Sequence, residues 1–144
     1  MGGRPDLDAR ELLARMQELA PAWLLGCRLR ECWFEPTFHK HSATLNRGVQ
    51  IHVDAPHYDH AAFRPWRLMA LAFKALRQLR PDYELWRDFP YEYEHDRLAI
   101  DLINGSDLLR TWVDDSAATP DDLEASASAD EAEWIDTRQP SLLY

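Results

Sequence analysis

Polar side chains whose types could support chemistry cluster between residues 37 and 60. Five of the six histidines lie there, at positions 39, 41, 52, 57 and 60. Neutral imidazole is the commonest protein ligand for transition metals, so one hypothesis is a metal-dependent enzyme built on the segment His39–His60. The spacing matches no closed zinc pattern, and the glutamate that would complete a cupin-like set after His39-Lys40-His41 is absent. The simpler interpretation is a group of polar surface histidines, and we assign no metal ligand and no cofactor.

Catalytic carboxylates are the second chemistry to consider. A glycosidase places two carboxyl groups on either side of the scissile bond. The candidates are Glu35, Asp54, Glu92 and Asp101. None belongs to a pattern that marks such a pair, and for Asp101 a supporting role at Asn104-Gly105 or at a helix cap is the stronger interpretation. We therefore assign no catalytic residue.

An alternating strand supports the central polar residues. In Gly48–Val53 the apolar residues fall on one face, and Gln50 and His52 fall on the other, because strand side chains alternate with period two. The preceding loop is joined to this strand by six residues, 42 to 47, and can fold back over its polar face. The sequence thus predicts one polar site made of Thr37, Lys40, His41, Gln50 and His52. The alternative is an internal polar network that fixes the loop.

The remaining elements predict an α+β fold, a small sheet packed with helices in a single domain. Asp8 and Glu11 start a first helix that Pro21 ends, and Leu24–Arg30 alternates as a half-buried strand. A second helix runs from Pro65 to about Arg80. Its predicted core face is Trp66, Met69, Phe73, Leu76 and Leu79, with Arg67, Lys74 and Gln78 opposite.

The C-terminal half is predicted to be mostly helical. Tyr83–Trp86 and Tyr91–Tyr93 suggest short extended segments, and two short helices flank Gly105, which can adopt a positive φ. Residues 114–136 form an acidic linker and a last helix that begins at Pro120. The apolar residues expected to be buried there are Leu123, Ala127, Trp134 and Ile135, followed by a packed end at Leu142–Tyr144.

Composition and charge exclude several classes of protein. The chain has 144 residues, enough for one domain with its own core, and a net charge of −9. Nine acids and no Lys or Arg lie in residues 114–136, while the rest of the chain is balanced, which argues against nucleic-acid binding. No apolar run approaches the roughly 18 residues of a membrane span, and no signal peptide is visible. We expect Cys27 and Cys32 to be buried thiols.

Several short motifs, taken together, resemble one family. They are Pro36-Thr37-Phe38, Lys40-His41, Gly48–Val53, Phe63-Arg64-Pro65, Ile100-Asp101-Leu102 with Gly105, Leu109-Arg110 and Leu142-Leu143-Tyr144. This set resembles the C-terminal domain of the NamZ-type exo-β-N-acetylmuramidases, bacterial glycosidases of peptidoglycan and cell wall recycling that are often exported. Differences from the family pattern occur at Thr44–Arg47 and at Ser141.

The resemblance implies a division of labour between two domains. The catalytic carboxylate would lie in an N-terminal Rossmann-like domain outside this chain, and the five polar residues would line the cleft that faces it. Lys40 would then bind the carboxylate of a muramic-acid-containing glycan. The leading hypothesis is an accessory domain that is inactive alone. The alternatives are a free-standing carbohydrate-binding or protein-interaction module and the metal-dependent enzyme.

Overall fold

The computed structural model describes residues 4–38 and 40–143. Within them lie five α-helices and a two-stranded antiparallel sheet, which confirms the predicted small α+β domain. The chain forms two compact units that divide in sequence between Leu85 and Trp86. His39 and Tyr144, which the sequence placed in the polar loop and in the apolar C-terminal end, lie outside the described residues.

The first unit begins with helix α1, Ala9–Leu19, as predicted. The Asp8 carboxylate accepts hydrogen bonds from the backbone N–H groups of Arg10 at 2.9 Å and Glu11 at 3.2 Å, which satisfies two of the free donors at the helix start. Leu12 and Met16 are buried on its inner face. A 3-10 turn, Pro21–Leu24, follows, since proline cannot continue the α-helical hydrogen bonding.

The sheet consists of β1, Arg28–Phe34, and β2, Asn46–His52. Arg28 lies opposite His52, and Phe34 lies opposite Asn46. The predicted strand at β2 is confirmed, with Val49 buried on one face, except that Val53 lies beyond the last strand pair and is 51% exposed.

The predicted strand Leu24–Arg30 is wrong at its start, because β1 begins only at Arg28. Gly26 has φ +78°, and a Cβ added there would lie 2.4 Å from the backbone nitrogen of Phe63. The backbone carbonyl of Gly26 also accepts a hydrogen bond from the Asp59 N–H at 3.0 Å. The close approach of the loop after β2 therefore replaces the strand with a turn at this glycine.

Helix α2, Pro65–Leu79, has the predicted bounds but not the predicted core face. Leu68, Leu71 and Ala75 are fully buried, whereas Trp66 is 36% exposed. The other predicted core residues, Met69, Phe73, Leu76 and Leu79, are half-buried. Arg67 and Lys74, predicted to face solvent, are buried, whereas Gln78 is exposed as predicted. Small alanines permit close helix packing, so the deepest stripe follows them and not the bulky aromatic residues.

The second unit contains α3, Ala99–Asn104, α4, Leu108–Asp114, and α5, Pro120–Arg138, followed by a 3-10 turn, Gln139–Ser141. Gly105 ends α3 with φ +88°, as predicted. Thr119 and Asp122 form a reciprocal capping box at the start of α5. The short segments predicted to be extended form no strand, and only a single bridge pairs Tyr91 with Glu94.

The end of the second unit is more exposed than predicted. In α5 only Leu123 and Ala127 are buried, because its charged and small residues leave no continuous apolar stripe. The apolar side chains predicted to pack are exposed: Trp134 by 61%, Ile135 by 48%, Leu142 by 48% and Leu143 by 95%. The acidic segment 114–136 covers the end of α4 and most of α5.

Two expectations from composition concern the membrane and the thiols. In the described part of the chain, no helix combines the length and the apolar character that a bilayer crossing requires. Cys27 and Cys32 are free thiols but are half-buried, not fully buried as predicted, because they lie on or beside the first strand of a sheet that has only two strands. Burial raises the pKa of the Cys27 thiol.

Acid sensitivity follows from an ion-pair network between α1 and the sheet. The Glu31 carboxylate accepts hydrogen bonds from Arg47 Nη2 at 2.7 Å and Arg10 Nε at 2.9 Å. These bonds, with that of Arg47 the stronger, lower the pKa of Glu31. A lowered folded-state pKa stabilises the fold above the ordinary glutamate pKa of about 4.3, and this contribution is lost as the pH falls through the folded-state pKa.

We therefore expect Glu31→Gln to lower the urea midpoint of unfolding at pH 7. Between about pH 5 and pH 3 the midpoint of this variant is expected to decrease less than that of the wild type. Urea titrations across this range measure both effects. Glu18→Gln, which removes a carboxylate that is 64% exposed, is the matched control. An unchanged pH dependence in the Glu31 variant would show that the network does not contribute to acid stability.

Candidate functional site

One face of the two-stranded sheet carries two cross-strand pairs. Arg28 of β1 lies opposite His52 of β2, and Arg30 lies opposite Gln50. The Nε–H of Arg30 donates to His52 Nε2 at 2.8 Å, and its Nη2 donates to Gln50 Oε1. Arg28, Arg30 and Gln50 are exposed. A single guanidinium therefore fixes the orientation of both polar residues that the sequence selected on this strand.

The other three predicted site residues leave the hairpin at its opposite end. Thr37, Lys40 and His41 belong to the connection between Phe34 and Asn46, the strand pair farthest from His52. Asn46 and His52 are six positions apart in the strand, a distance of about 20 Å along the backbone. The structure thus groups Gln50 with His52, and the connection that carries the loop residues joins the strands at the other end of the hairpin. That all five contribute to one binding site stays a prediction.

Internal hydrogen bonds shape this loop. The Ala43 N–H donates to the Pro36 carbonyl at 3.0 Å, and the buried Asn46 side chain donates to the Thr44 carbonyl at 2.6 Å. His41 and Ala43 have φ of +59° and +55°, in the left-handed region. Residues with side chains adopt this region at some cost, so both positions are tightly turned.

A second loop, residues 53–64, borders the arginine end of the hairpin. His57 Nε2 lies 3.4 Å from Arg28 Nη1, and Asp54 Oδ1 lies 3.6 Å from His52 Nδ1. Tyr58, 40% exposed, contacts His60 Nδ1 through its hydroxyl at 2.8 Å. We call the surface formed by Arg28, Arg30, Gln50, His52, Asp54 and His57 the Arg28–Arg30 surface.

The surface carries two positively charged side chains, Arg28 and Arg30, in a chain of net charge −9. Arg10, Arg47, Arg80 and Arg110 are all paired with carboxylates. Arg28 and Arg30 have no such partner among residues 4–38 and 40–143, and their hydrogen-bond partners are the side chains of His57, Gln50 and His52. The sequence did not identify either arginine as a site residue. Their alternation is visible in the sequence, but only the strand register shows that they lie opposite Gln50 and His52.

The structure places three of the four carboxylate candidates relative to a strand end or an ion-pair partner: Glu35, Asp54 and Asp101. The Asp101 carboxylate forms a bidentate ion pair with Arg110. Arg110 Nε donates to Oδ1 at 2.9 Å and Nη2 donates to Oδ2 at 2.8 Å, and this pairing raises the pKa of Arg110. Asp101 therefore joins α3 to α4, a structural role, although its partner is Arg110 and not the turn at Gly105. Glu35 and Asp54 follow opposite ends of the two paired strands.

The histidines do not converge on a metal site in the part of the chain that the structure describes. No group of three His, Cys, Asp or Glu side chains there is placed to hold a metal ion. Of the five clustered histidines, His52 contacts Arg30, His57 contacts Arg28, and His60 contacts Tyr58.

Comparison with known proteins identifies a family. A family model described as "Exo-beta-N-acetylmuramidase NamZ, C-terminal" matches residues 1–144, the whole chain. No curated protein and no solved structure matches the chain significantly. The match includes the hairpin, its two loops and the Asp101–Arg110 pair. The chain belongs to the family of the C-terminal domain of the exo-β-N-acetylmuramidase NamZ.

Proposed function

We propose that this chain is the accessory domain of a bacterial peptidoglycan exo-β-N-acetylmuramidase and that the Arg28–Arg30 surface borders the cleft in which a muramic-acid-containing glycan binds. The domain supplies binding groups, and a companion N-terminal Rossmann-like domain supplies the catalytic carboxylates. The observation that carries the proposal is the fixed array of Gln50 and His52 around Arg30, exposed at one end of a stiff hairpin.

The chemistry of this surface suits a sugar. Amide, imidazole and guanidinium groups are planar donors and acceptors that match hydroxyl and acetamido groups, and here they are fixed by each other before a ligand arrives. The bordering loop adds apolar area through the exposed ring of Tyr58, which is 40% exposed. Such a mixture of apolar area and a few oriented polar groups is typical of ligand sites.

The loop that carries Thr37, Lys40 and His41 has a different character. Two large apolar side chains within it, Phe38 at 71% and Leu45 at 54%, are exposed. Exposed apolar side chains in a loop that also carries a cation suit contact with another protein surface. We assign this loop to the interface with the catalytic domain, so that the two ends of the hairpin serve the glycan and the partner domain respectively.

A reconstitution assay tests the proposal. The chain is mixed with the N-terminal catalytic domain of a family member, and release of chromophore from a chromogenic N-acetylmuramide is followed. We expect Gln50→Ala and His52→Ala each to lower kcat/KM by about tenfold, the effect of one lost hydrogen bond to substrate, with the melting temperature nearly unchanged. Lys40→Ala is expected to weaken binding of the catalytic domain instead.

The control is His95→Ala, which removes the same side chain at an exposed position in the second unit. It is expected to leave kcat/KM unchanged. Wild-type kcat/KM in both the Gln50 and His52 variants would overturn the cleft assignment. Glycan binding by the chain with no stimulation by any catalytic domain would favour a free-standing carbohydrate-binding module.

A further inference from the structure

Arg30 is oriented by its neighbours but is not neutralised by them. A guanidinium carries five N–H donors. In Arg30 the Nε–H and one Nη2–H are used by His52 and Gln50, along one edge of the group. The remaining edge, formed by one N–H of Nη1 and one of Nη2, has no acceptor among residues 4–38 and 40–143. Two parallel donors on this edge match the two oxygens of a carboxylate.

A second cation reinforces the charge on this side of the sheet. Arg28 is two residues from Arg30 on the same face of β1, about 7 Å along the strand, and its contact is the His57 ring and not a carboxylate. The nearest carboxylate on the surface, Asp54, lies beside the other edge of the His52 ring and is 70% exposed. The positive charge of both arginines is therefore available to an incoming anion.

Besides offering groups to the glycan, His52 and Gln50 orient Arg30. The hydrogen bond from Arg30 requires His52 Nε2 to accept, so the ring proton lies on Nδ1, toward Asp54. An arginine fixed in this way loses little side-chain entropy on binding, since its orientation is already set. An exposed lysine such as Lys40, on a flexible four-carbon chain, has no comparable preorganisation.

We propose that Arg30, assisted by Arg28, is an anion subsite that binds the carboxylate of an acidic amino sugar. This rests on the proposed function, because N-acetylmuramic acid differs from N-acetylglucosamine by a lactyl ether that carries one carboxylate. Arg30 therefore makes the accessory domain the part of the enzyme that distinguishes the acidic sugar from the neutral one.

The test uses the ¹⁵N-labelled chain and two sugars that differ only in the lactyl group. Titration with N-acetylmuramic acid is expected to shift the Arg30 Nε–Hε and Gln50 side-chain amide signals, whereas N-acetylglucosamine shifts them much less. Arg30→Gln is expected to lower the affinity for N-acetylmuramic acid by about 10- to 100-fold, the range for a lost hydrogen bond to a charged group. Arg30→Lys keeps the charge but loses the bidentate edge, so its affinity for N-acetylmuramic acid is expected to lie between those of the wild type and Arg30→Gln.

The control is Arg15→Gln, which removes an arginine that is already paired with Glu18. It is expected to bind N-acetylmuramic acid like wild type. Equal shifts by both sugars, unchanged affinity in Arg30→Gln, or no binding of N-acetylmuramic acid to the wild type would each overturn the subsite. The reconstitution assay is independent of this result: its failure alongside Arg30-dependent binding would reject the enzyme role and retain the anion subsite.

Discussion

The chain alone is expected to release chromophore from a chromogenic N-acetylmuramide no faster than buffer does. Glycosidases need two carboxyl groups about 5–5.5 Å apart for retention or about 6.5–9.5 Å apart for inversion. Glu35 and Asp54 follow opposite ends of the paired strands, about 20 Å apart along the hairpin. Asp101 is occupied by the bidentate ion pair with Arg110.

The gain of turnover on adding the catalytic domain is the largest effect that we expect, because binding groups cannot replace a general acid and a nucleophile. The measurement is a time course at increasing concentrations of purified chain, repeated after addition of the catalytic domain. Glu35→Gln and Asp101→Asn serve as controls for contaminating hydrolase. Turnover that copurifies with the chain and disappears in either variant would show that the active site is within this domain.

Local rules predicted the features of the fold that depend on local chemistry. The alternation of apolar and polar residues predicted β2. The N-cap residues predicted the starts of α1 and α5, and Gly105 predicted the end of α3. Each depends on residues within one or two turns of the chain, where propensity and capping dominate. The polar face of β2 was predictable for the same reason.

Features that depend on distant contacts were not predictable in this way. Gly26 is forced into a turn by the backbone near Phe63, 37 positions later in the sequence, so β1 starts later than its alternation suggests. Arg30 gains its role only when the strand register places it opposite Gln50. Period-two alternation identifies a polar face but not the partner strand that completes it.

The orientation of α2 is the clearest case of this limit. The large side chains Trp66 and Phe73 recur at helical spacing and suggest the core face, since burial of large apolar area is favourable. The buried side instead follows Leu68, Leu71 and the alanines, where small side chains bring helices close. Close packing over the whole length of a helix can outweigh burial of a few large rings.

Leu71→Ala is therefore expected to lower the free energy of unfolding by about 2–5 kcal/mol, the usual cost of a large-to-small change in a packed core. Leu71 is 0% exposed, in the middle of α2, so the deleted atoms leave a cavity that water does not fill. This is a large fraction of the total stability of a small domain, which is typically about 5–15 kcal/mol. Urea unfolding followed by tryptophan fluorescence and by far-UV circular dichroism measures the change.

Leu45→Ala is the matched control, because it deletes the same atoms from a side chain that is 54% exposed. We expect it to change stability by less than about 1 kcal/mol, since exposed substitutions remove few packing contacts. The ratio of the two effects tests the orientation of α2 and not merely the presence of a helix. Equal effects, together with a cost of about 3–5 kcal/mol for Phe73→Ala, would mean that the aromatic stripe faces the core after all.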